Sequence, residues 1–287
     1  MNKRTTRALA LLATAAAILA AGCGDDDDEN GGGAGGAEQT AQPSRLAIEL
    51  SGSAKKPTFT VPDSVKGGVV ELEFTSSVSG EHSAQLVRGD DGHAAAEALE
   101  AGVAWGEKGK PLPEWAILAG GTGDLKQGET VTVTQELEPG SYIVTDLASN
   151  ASAEFEVTDA SGGGELEGDG GTITATEYDF ETDGLTAGRN RVLFENAGQE
   201  PHLVAAIGIR EGATFQEVKR FFRSEKGRPP IDESRGFSTA VVEGGVRQAV
   251  EFDLEAGRYA LLCFVPDRKG GPPHIAQGMI AEAEVAG

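Results

Sequence analysis

Residues 254–279 read LEAGRYALLCFVPDRKGGPPHIAQGM, and the first ten of them decide the fold. Leu254–Gly257 has the composition of a turn, and Arg258–Cys263 follows it as an apolar strand. A near copy stands 117 positions earlier, where Leu137–Asp146 reads LEPGSYIVTD. Tyr142 falls opposite Tyr259, and Asp146 opposite Cys263.

The correspondence continues outward. FTSSVSGEHSAQLV in the first half matches FENAGQEPHLVAAI in the second, AAAEALEAG matches ATFQEVKRFF, and KGKPLPEW matches KGRPPIDE. His82 lies 120 positions before His202, so the two registers drift by only three residues. Self-similarity at a nearly fixed offset is an internal repeat. Thr130–Gln135 and Ala249–Leu254 alternate apolar with polar residues, which predicts strands with one buried and one wet face. Val69–Phe74, Leu86-Val87, Arg191–Phe194 and Leu203–Ile209 add further strands, and each half has room for one helix. In the second half Phe215, Val218, Phe221 and Phe222 fall on one helical face. Many short strands between turns predict an all-β protein of two tandem β-sandwiches, each with one short helix. The expected domains are residues 45–158 and 172–287, separated by a Gly-rich linker over 159–171.

The N-terminus has a different character. Lys3, Arg4 and Arg7 precede an apolar run, Ala8–Ala21, that ends at Gly22-Cys23. The run is short for a membrane span. It resembles a bacterial lipoprotein signal over residues 1–22, which implies export, a lipid on Cys23, and anchoring on the outer side of the cell membrane. Residues 23–44, acidic and then Gly-rich, are expected to be a disordered tether. The formal net charge is −22 over 287 residues, which excludes nucleic acid as a partner. The same charge favours a protein partner with a basic surface.

The chemistry rests on scarce residues. The whole chain has two Cys, two Met and four His. With Cys23 lipidated, Cys263 has no partner for a disulfide, and with the signal removed Met279 is the last Met. A lone thiol outside the cytoplasm is prone to oxidation. Two explanations stay open: a buried inert thiol, or a thiolate held by a metal. His274 and Met279 stand close behind Cys263, and His202 is available 61 positions before it. Two imidazoles, a thiolate and a weak thioether make a blue-copper electron-transfer site. Zinc fits the first three donors but gains little from a thioether. No nucleophile motif surrounds Cys263.

These residues carry a resemblance. FENAGQEPH (194–202), with its Asn-x-Gly before the His, LEAGRY (254–259), and the His274-to-Met279 spacing resemble the cupredoxins, the blue-copper family of plastocyanin and azurin. The resemblance implies Greek-key sandwiches, copper as cofactor, His202, Cys263 and His274 as equatorial ligands and Met279 as the axial one. It covers residues 172–287, and more faintly 45–158. Ten residues, FVPDRKGGPP, separate Cys263 from His274, where the family has only a few. Pro266, Gly270-Gly271 and Pro272-Pro273 are expected to fold this loop back on itself.

In the first half Asp146 replaces the thiol and neither His nor Met follows it, so His82 reads as isolated and the half as a metal-free partner. His93 belongs to a loop or a helix start. The expected role is an electron carrier and not an enzyme, because oxidases need more copper ligands than four His supply. A metal-free surface module that binds a protein or small ligand is the alternative. Trp105 and Trp115 would serve such a surface, although partial burial in the core is the favoured reading for both.

Overall fold

The computed structural model describes residues 42–224 and 227–287. Its N-terminal half runs β1 (Ser44–Ser53), β2 (Lys56–Thr60), β3 (Ser64–Ser76), β4 (Glu81–Gly89), α1 (Ala95–Lys108), β5 (Ala116–Lys126), β6 (Thr130–Leu137), β7 (Gly140–Thr145) and β8 (Ser152–Gly162). The C-terminal half runs β9 (Thr172–Thr176), β10 (Asp179–Asp183), β11 (Gly188–Asn196), β12 (Ala205–Ile209), α2 (Phe215–Ser224), β13 (Ile231–Ser238), β14 (Arg247–Leu254), β15 (Gly257–Leu262), α3 (His274–Gln277) and β16 (Ile280–Val285). The fold is all-β and of the sandwich type, as the strand patterns require. The signal stretch and Cys23 lie outside the described residues. No helix among the described residues is long and apolar enough to cross a membrane.

In the N-terminal half, β1, β2, β3 and β6 face β8, β7, β4 and β5. Leu46, Ile48, Leu72 and Phe74 pack against Leu86 and Val144 between the layers. Each such side chain contributes about 1.5–3 kcal/mol by leaving water. The start of β3 pairs with β8 and its later part with β1, so this strand passes from one layer to the other. In the C-terminal half, β10-β9-β11-β14 face β13-β12-β15-β16. Ile173, Phe194, Val250 and Leu261 fill that core together with Cys263 and Met279. The predicted face of α2 is the packed one: Val218, Phe215, Phe221 and Phe222 cover Ile209, Ile231 and Leu262.

The repeat extends to single hydrogen bonds. Tyr142 Oη donates to the Glu138 carbonyl at 2.9 Å, and Tyr259 Oη donates to the Glu255 carbonyl at 2.8 Å. Thr122 Oγ1 accepts the Ala84 amide, and Thr239 Oγ1 accepts the Val204 amide. These two threonines pair with each other across the join between the halves.

The two tandem halves are joined through their sheets. β6 and β14 pair antiparallel, with Gln135 opposite Gln248, so one layer of each half runs into a single sheet. Thr40–Gly287 accordingly form one compact unit. The alternation of β6 predicted a wet face at Gln135, yet Gln135 and Gln248 are both fully buried. Their amides replace the lost water. Gln135 Oε1 accepts the Gly121 amide at 2.9 Å and a bond from Gln248 Nε2, while Gln135 Nε2 donates to the Ala119 carbonyl at 2.7 Å. Gly120 makes room for this. Its φ is +78°, and a Cβ there would stand 2.6 Å from the side chains of both glutamines. A third buried glutamine, Gln85, donates from Nε2 to the carbonyls of Leu86, Gly120 and Val241 at 3.0 Å and accepts the Val241 amide at 2.9 Å.

Replacing Gln85 with Leu preserves bulk but leaves the buried Val241 amide without its acceptor. Urea denaturation of Gln85→Leu is expected to show a loss of about 1–3 kcal/mol. The two halves are expected to unfold in one transition, read by two spectroscopic probes that coincide.

Candidate metal centre

His202 follows β11 in a loop that the backbone pins on both sides. Its amide donates to the Val242 carbonyl at 3.0 Å, and the Val242 amide returns a bond of 2.9 Å. The buried Asn196 shapes the approach. Its Nδ2 donates to the carbonyls of Glu200 and Val242, and its Oδ1 accepts the Gly198 amide. This is an Asx-type turn, the physical content of the Asn-x-Gly motif.

Cys263 directly follows β15, and the ten-residue loop after it does fold back. The His274 amide donates to the Val265 carbonyl at 2.9 Å, and the Ile275 amide donates to the Cys263 carbonyl at 2.8 Å. Loop length therefore does not set the position of His274; these two bonds do. His274 opens α3, a third helical segment beyond the expected one per half. Pro273 precedes it with φ −61°, and Gly278 closes it with φ +111°, a conformation suited to glycine. The Met279 amide donates back to the His274 carbonyl at 2.9 Å, which holds Met279 in the core cluster that contains Cys263.

The loop's middle is anchored on the N-terminal half. Trp105 Nε1 donates to the Asp267 carbonyl at 2.7 Å, and the Leu112 amide donates to the Arg268 carbonyl at 2.6 Å. The Arg268 guanidinium reaches Glu243 at 2.5 Å and the carbonyls of Pro113 and Ala116 at 2.6 and 3.1 Å. Its backbone amide donates to Glu200, two residues before His202. Gly270 lies so close to Gly109 that a Cβ would meet the Gly109 carbonyl oxygen at 2.4 Å. Leu203 and Val265, beside two of the candidate ligands, pack into a cluster with Trp105, Leu112 and Leu118.

His202, Cys263 and His274 converge and are each fully buried. The Cys263 Sγ lies 3.7 Å from His202 Nδ1 and 3.4 Å from His274 Nδ1, and the two Nδ1 atoms are 3.1 Å apart. Metal bonds of about 2.0 Å to imidazole and 2.3 Å to thiolate, set at 120°, need edges of about 3.5–3.8 Å. The triangle is slightly tighter than that and is sized for one ion. A soft thiolate, two imidazoles and a buried thioether nearby match copper by ligand chemistry. The far nitrogen of His274, Nε2, is 3.0 Å from Asp267 Oδ1, which fixes the tautomer that leaves Nδ1 free to bind.

Burial also sets the protonation states. It pushes the Cys263 thiol up to about 11, although the amides of Leu203 and Val265 pull it part of the way back. Burial, followed by the neighbouring His274, pushes His202 down to about 4. Burial lowers His274 as well, against the opposing pull of Asp267. Near neutral pH the site is a protonated thiol between two neutral imidazoles.

The N-terminal half corrects one expectation. His82 is not isolated: its Nδ1 lies 2.8 Å from Asp146 Oδ2, and both are buried. The pair occupies the positions of His202 and Cys263 in the repeat. Asp146 also accepts the amides of Ser83, Ala148 and Ser149 and the Ser149 hydroxyl. Burial would raise this carboxyl, but these bonds outweigh it and hold it below the usual range. Burial would lower His82, but Asp146 and the Ser79 carbonyl outweigh it and hold the imidazole above its usual value. A hydrogen-bonded His82–Asp146 pair stands where the other half has the triangle of His202, Cys263 and His274.

Trp105 is core, 3% exposed, while Trp115 is partly buried and stacks on His93 at 3.9 Å. Sequence reasoning missed Tyr178, Asp267 and Arg268, which touch or brace the ligand loops. The compositional signal for the last two, a charged Asp-Arg inside a loop between ligands, was present in FVPDRKGGPP.

No family model matches the chain, and no curated protein matches it in sequence. Among solved structures, auracyanin from the photosynthetic bacterium Roseiflexus castenholzii is similar over 40% of this chain and 95% of its own, at 19% identity and a TM-score of 0.27. Auracyanin B is similar over 40% of this chain and 87% of its own, at 17% identity and a TM-score of 0.25. A copper nitrite reductase from Nitrosomonas europaea is similar over 84% of this chain and 93% of its own, at 12% identity and a TM-score of 0.23.

Two pH effects follow. Metal binding to the thiolate must displace the Cys263 proton and none from the imidazoles, so copper affinity is expected to rise about tenfold per pH unit between about pH 7 and 9. Competition titrations with a chelator at three pH values measure that slope. In the metal-free protein His202 takes up its proton only near pH 4, while the unfolded chain takes it up near 6.5. Stability from this group is expected to fall by up to about 3 kcal/mol as pH drops through that window, read from denaturation midpoints.

Proposed function

We propose that the chain is a single-electron carrier whose C-terminal half, residues 172–287, is a cupredoxin-type domain with a type 1 copper site. His202, Cys263 and His274 would hold the ion, with Met279 as a further, weaker thioether donor. The observation that supports this reading best is the buried triangle of two Nδ1 atoms and one Sγ with edges of 3.1, 3.4 and 3.7 Å. Copper bound there would supply a one-electron couple.

The chain's own residues supply the rest. The fully buried donors exclude water from the metal's surroundings. The paired bonds at His202–Val242 and at His274–Val265 and Ile275–Cys263 resist rearrangement between oxidation states, so little reorganisation accompanies the electron. A delivery protein would favour Met-rich ligation, and this chain has only two Met. Residues 45–158 would act as a metal-free structural partner that seals the ligand loop. Residues 1–22 and Cys23 would direct export and lipid anchoring, so the carrier would work on the outer side of the membrane. Its net charge of −22 suits a redox partner with a basic surface.

The first test is a visible spectrum of Thr40–Gly287 loaded with Cu(II), beside a Cys263→Ser control. An intense thiolate-to-copper band that vanishes in the control is expected. No band and no stoichiometric copper would sink the reading in favour of a metal-free interaction module. Colourless stoichiometric binding with preference for zinc would sink it as well.

A further inference from the structure

β9 and β10 form a hairpin in which Thr176 pairs with Asp179, leaving Glu177 and Tyr178 as the turn. Tyr178 sits at φ +65°, a left-handed conformation that is unusual for a bulky residue and is strained without a turn glycine. Such strain persists where surrounding contacts impose it, and the contacts here all lead to the metal centre. The Tyr178 hydroxyl donates to both oxygens of Asp267, at 3.1 and 3.3 Å. Its ring meets the His274 imidazole edge-on, with centroids 5.4 Å apart and planes at 75°. Asp267 in turn accepts from His274 Nε2 at 3.0 Å. On the other side of the tip, the Glu177 carboxylate accepts the amides of Gln199 and Glu200, in the loop that carries His202. One strained turn therefore ties down both ligand loops.

We infer that Tyr178 and Asp267 are positioning residues that set the reduction potential of the copper site through His274. This rests on the copper reading above. A carboxylate on the far N–H of a ligating imidazole makes the near nitrogen a stronger donor. Stronger donation favours the more highly charged, oxidised ion and lowers the potential. The Tyr178 hydroxyl works against this by drawing on the same carboxylate charge. The two residues thus oppose each other on one atom, Nδ1 of His274. In the transfer itself one electron enters from an external donor and leaves to an external acceptor. No bond in the triad breaks, and the proton stays on Nε2.

The test compares copper-loaded Thr40–Gly287 with its Tyr178→Phe and Asp267→Asn variants. Phe keeps the ring against His274 and the turn, and Asn keeps an oxygen for Nε2 to donate to. The thiolate-to-copper band is read first and the midpoint potential second. The band is expected in all three proteins. Tyr178→Phe is expected to lower the potential, and Asp267→Asn to raise it. A tenfold change in the relative affinity for the two oxidation states appears as 59 mV for one electron. Opposite signs with intact bands support the inference, because general loosening of the site would move both variants the same way and alter the band. Unchanged potentials, shifts of one sign, or loss of the band in either variant overturn it. A parent protein without the band overturns the proposed function, and this inference with it, before any potential is measured.

Discussion

Three strong metal donors lie in this fold with no contact with solvent, so water cannot arrange them and the protein must. Desolvation is the common cause of what surrounds them. It keeps the Cys263 thiol protonated and both imidazoles neutral while no ion is bound. It also means that a misplaced donor has no water to fall back on. Position therefore has to come from backbone pairs on either side of each ligand, and these are present for His202 and His274 alike. The N-terminal half completes the enclosure. Trp105, Leu112, Pro113 and Ala116 hold the middle of the Cys263–His274 loop from outside the C-terminal half.

The repeat shows how one scaffold accommodates two kinds of buried polar pair. Both halves keep the tyrosine that reaches back four residues and the threonine whose hydroxyl accepts the amide two residues after the His. At the pivotal position one half has Asp146 and the other Cys263. A carboxylate satisfied by backbone amides, a hydroxyl and His82 needs no ion. The Cys263 sulfur has weaker hydrogen-bonding capacity and two imidazole nitrogens facing it, an arrangement that suits a soft cation.

Much of this was legible in the sequence. Alternating strands and the repeated turn gave the all-β class, and the scarcity of Cys, Met and His picked out the cluster. What stayed hidden has one physical origin: pairing across long separations. Gln135 and Gln248 look like wet-face residues until a strand 113 positions away covers them. Asp146 lies 64 positions from His82, and nothing local to either reveals the bond. Arg268 reads as a loop charge, yet its carbonyl acceptors lie more than 150 positions before it, in the other half. Periodicity reports which face of a strand is apolar. It is silent on which polar side chains will later share a buried seam.

The shared sheet also has a consequence for the order of assembly. β6 finds its outer neighbour, β14, only after another 113 residues have been made, on the order of ten seconds of synthesis. Until then the N-terminal half carries an open strand edge with Thr134 and Gln135 exposed on it, the kind of template that recruits stray strands. The nascent chain is most vulnerable to sticking to itself or its neighbours during that interval. A helper that shields strand edges would act on the N-terminal half, well before the loop from Cys263 to His274 exists.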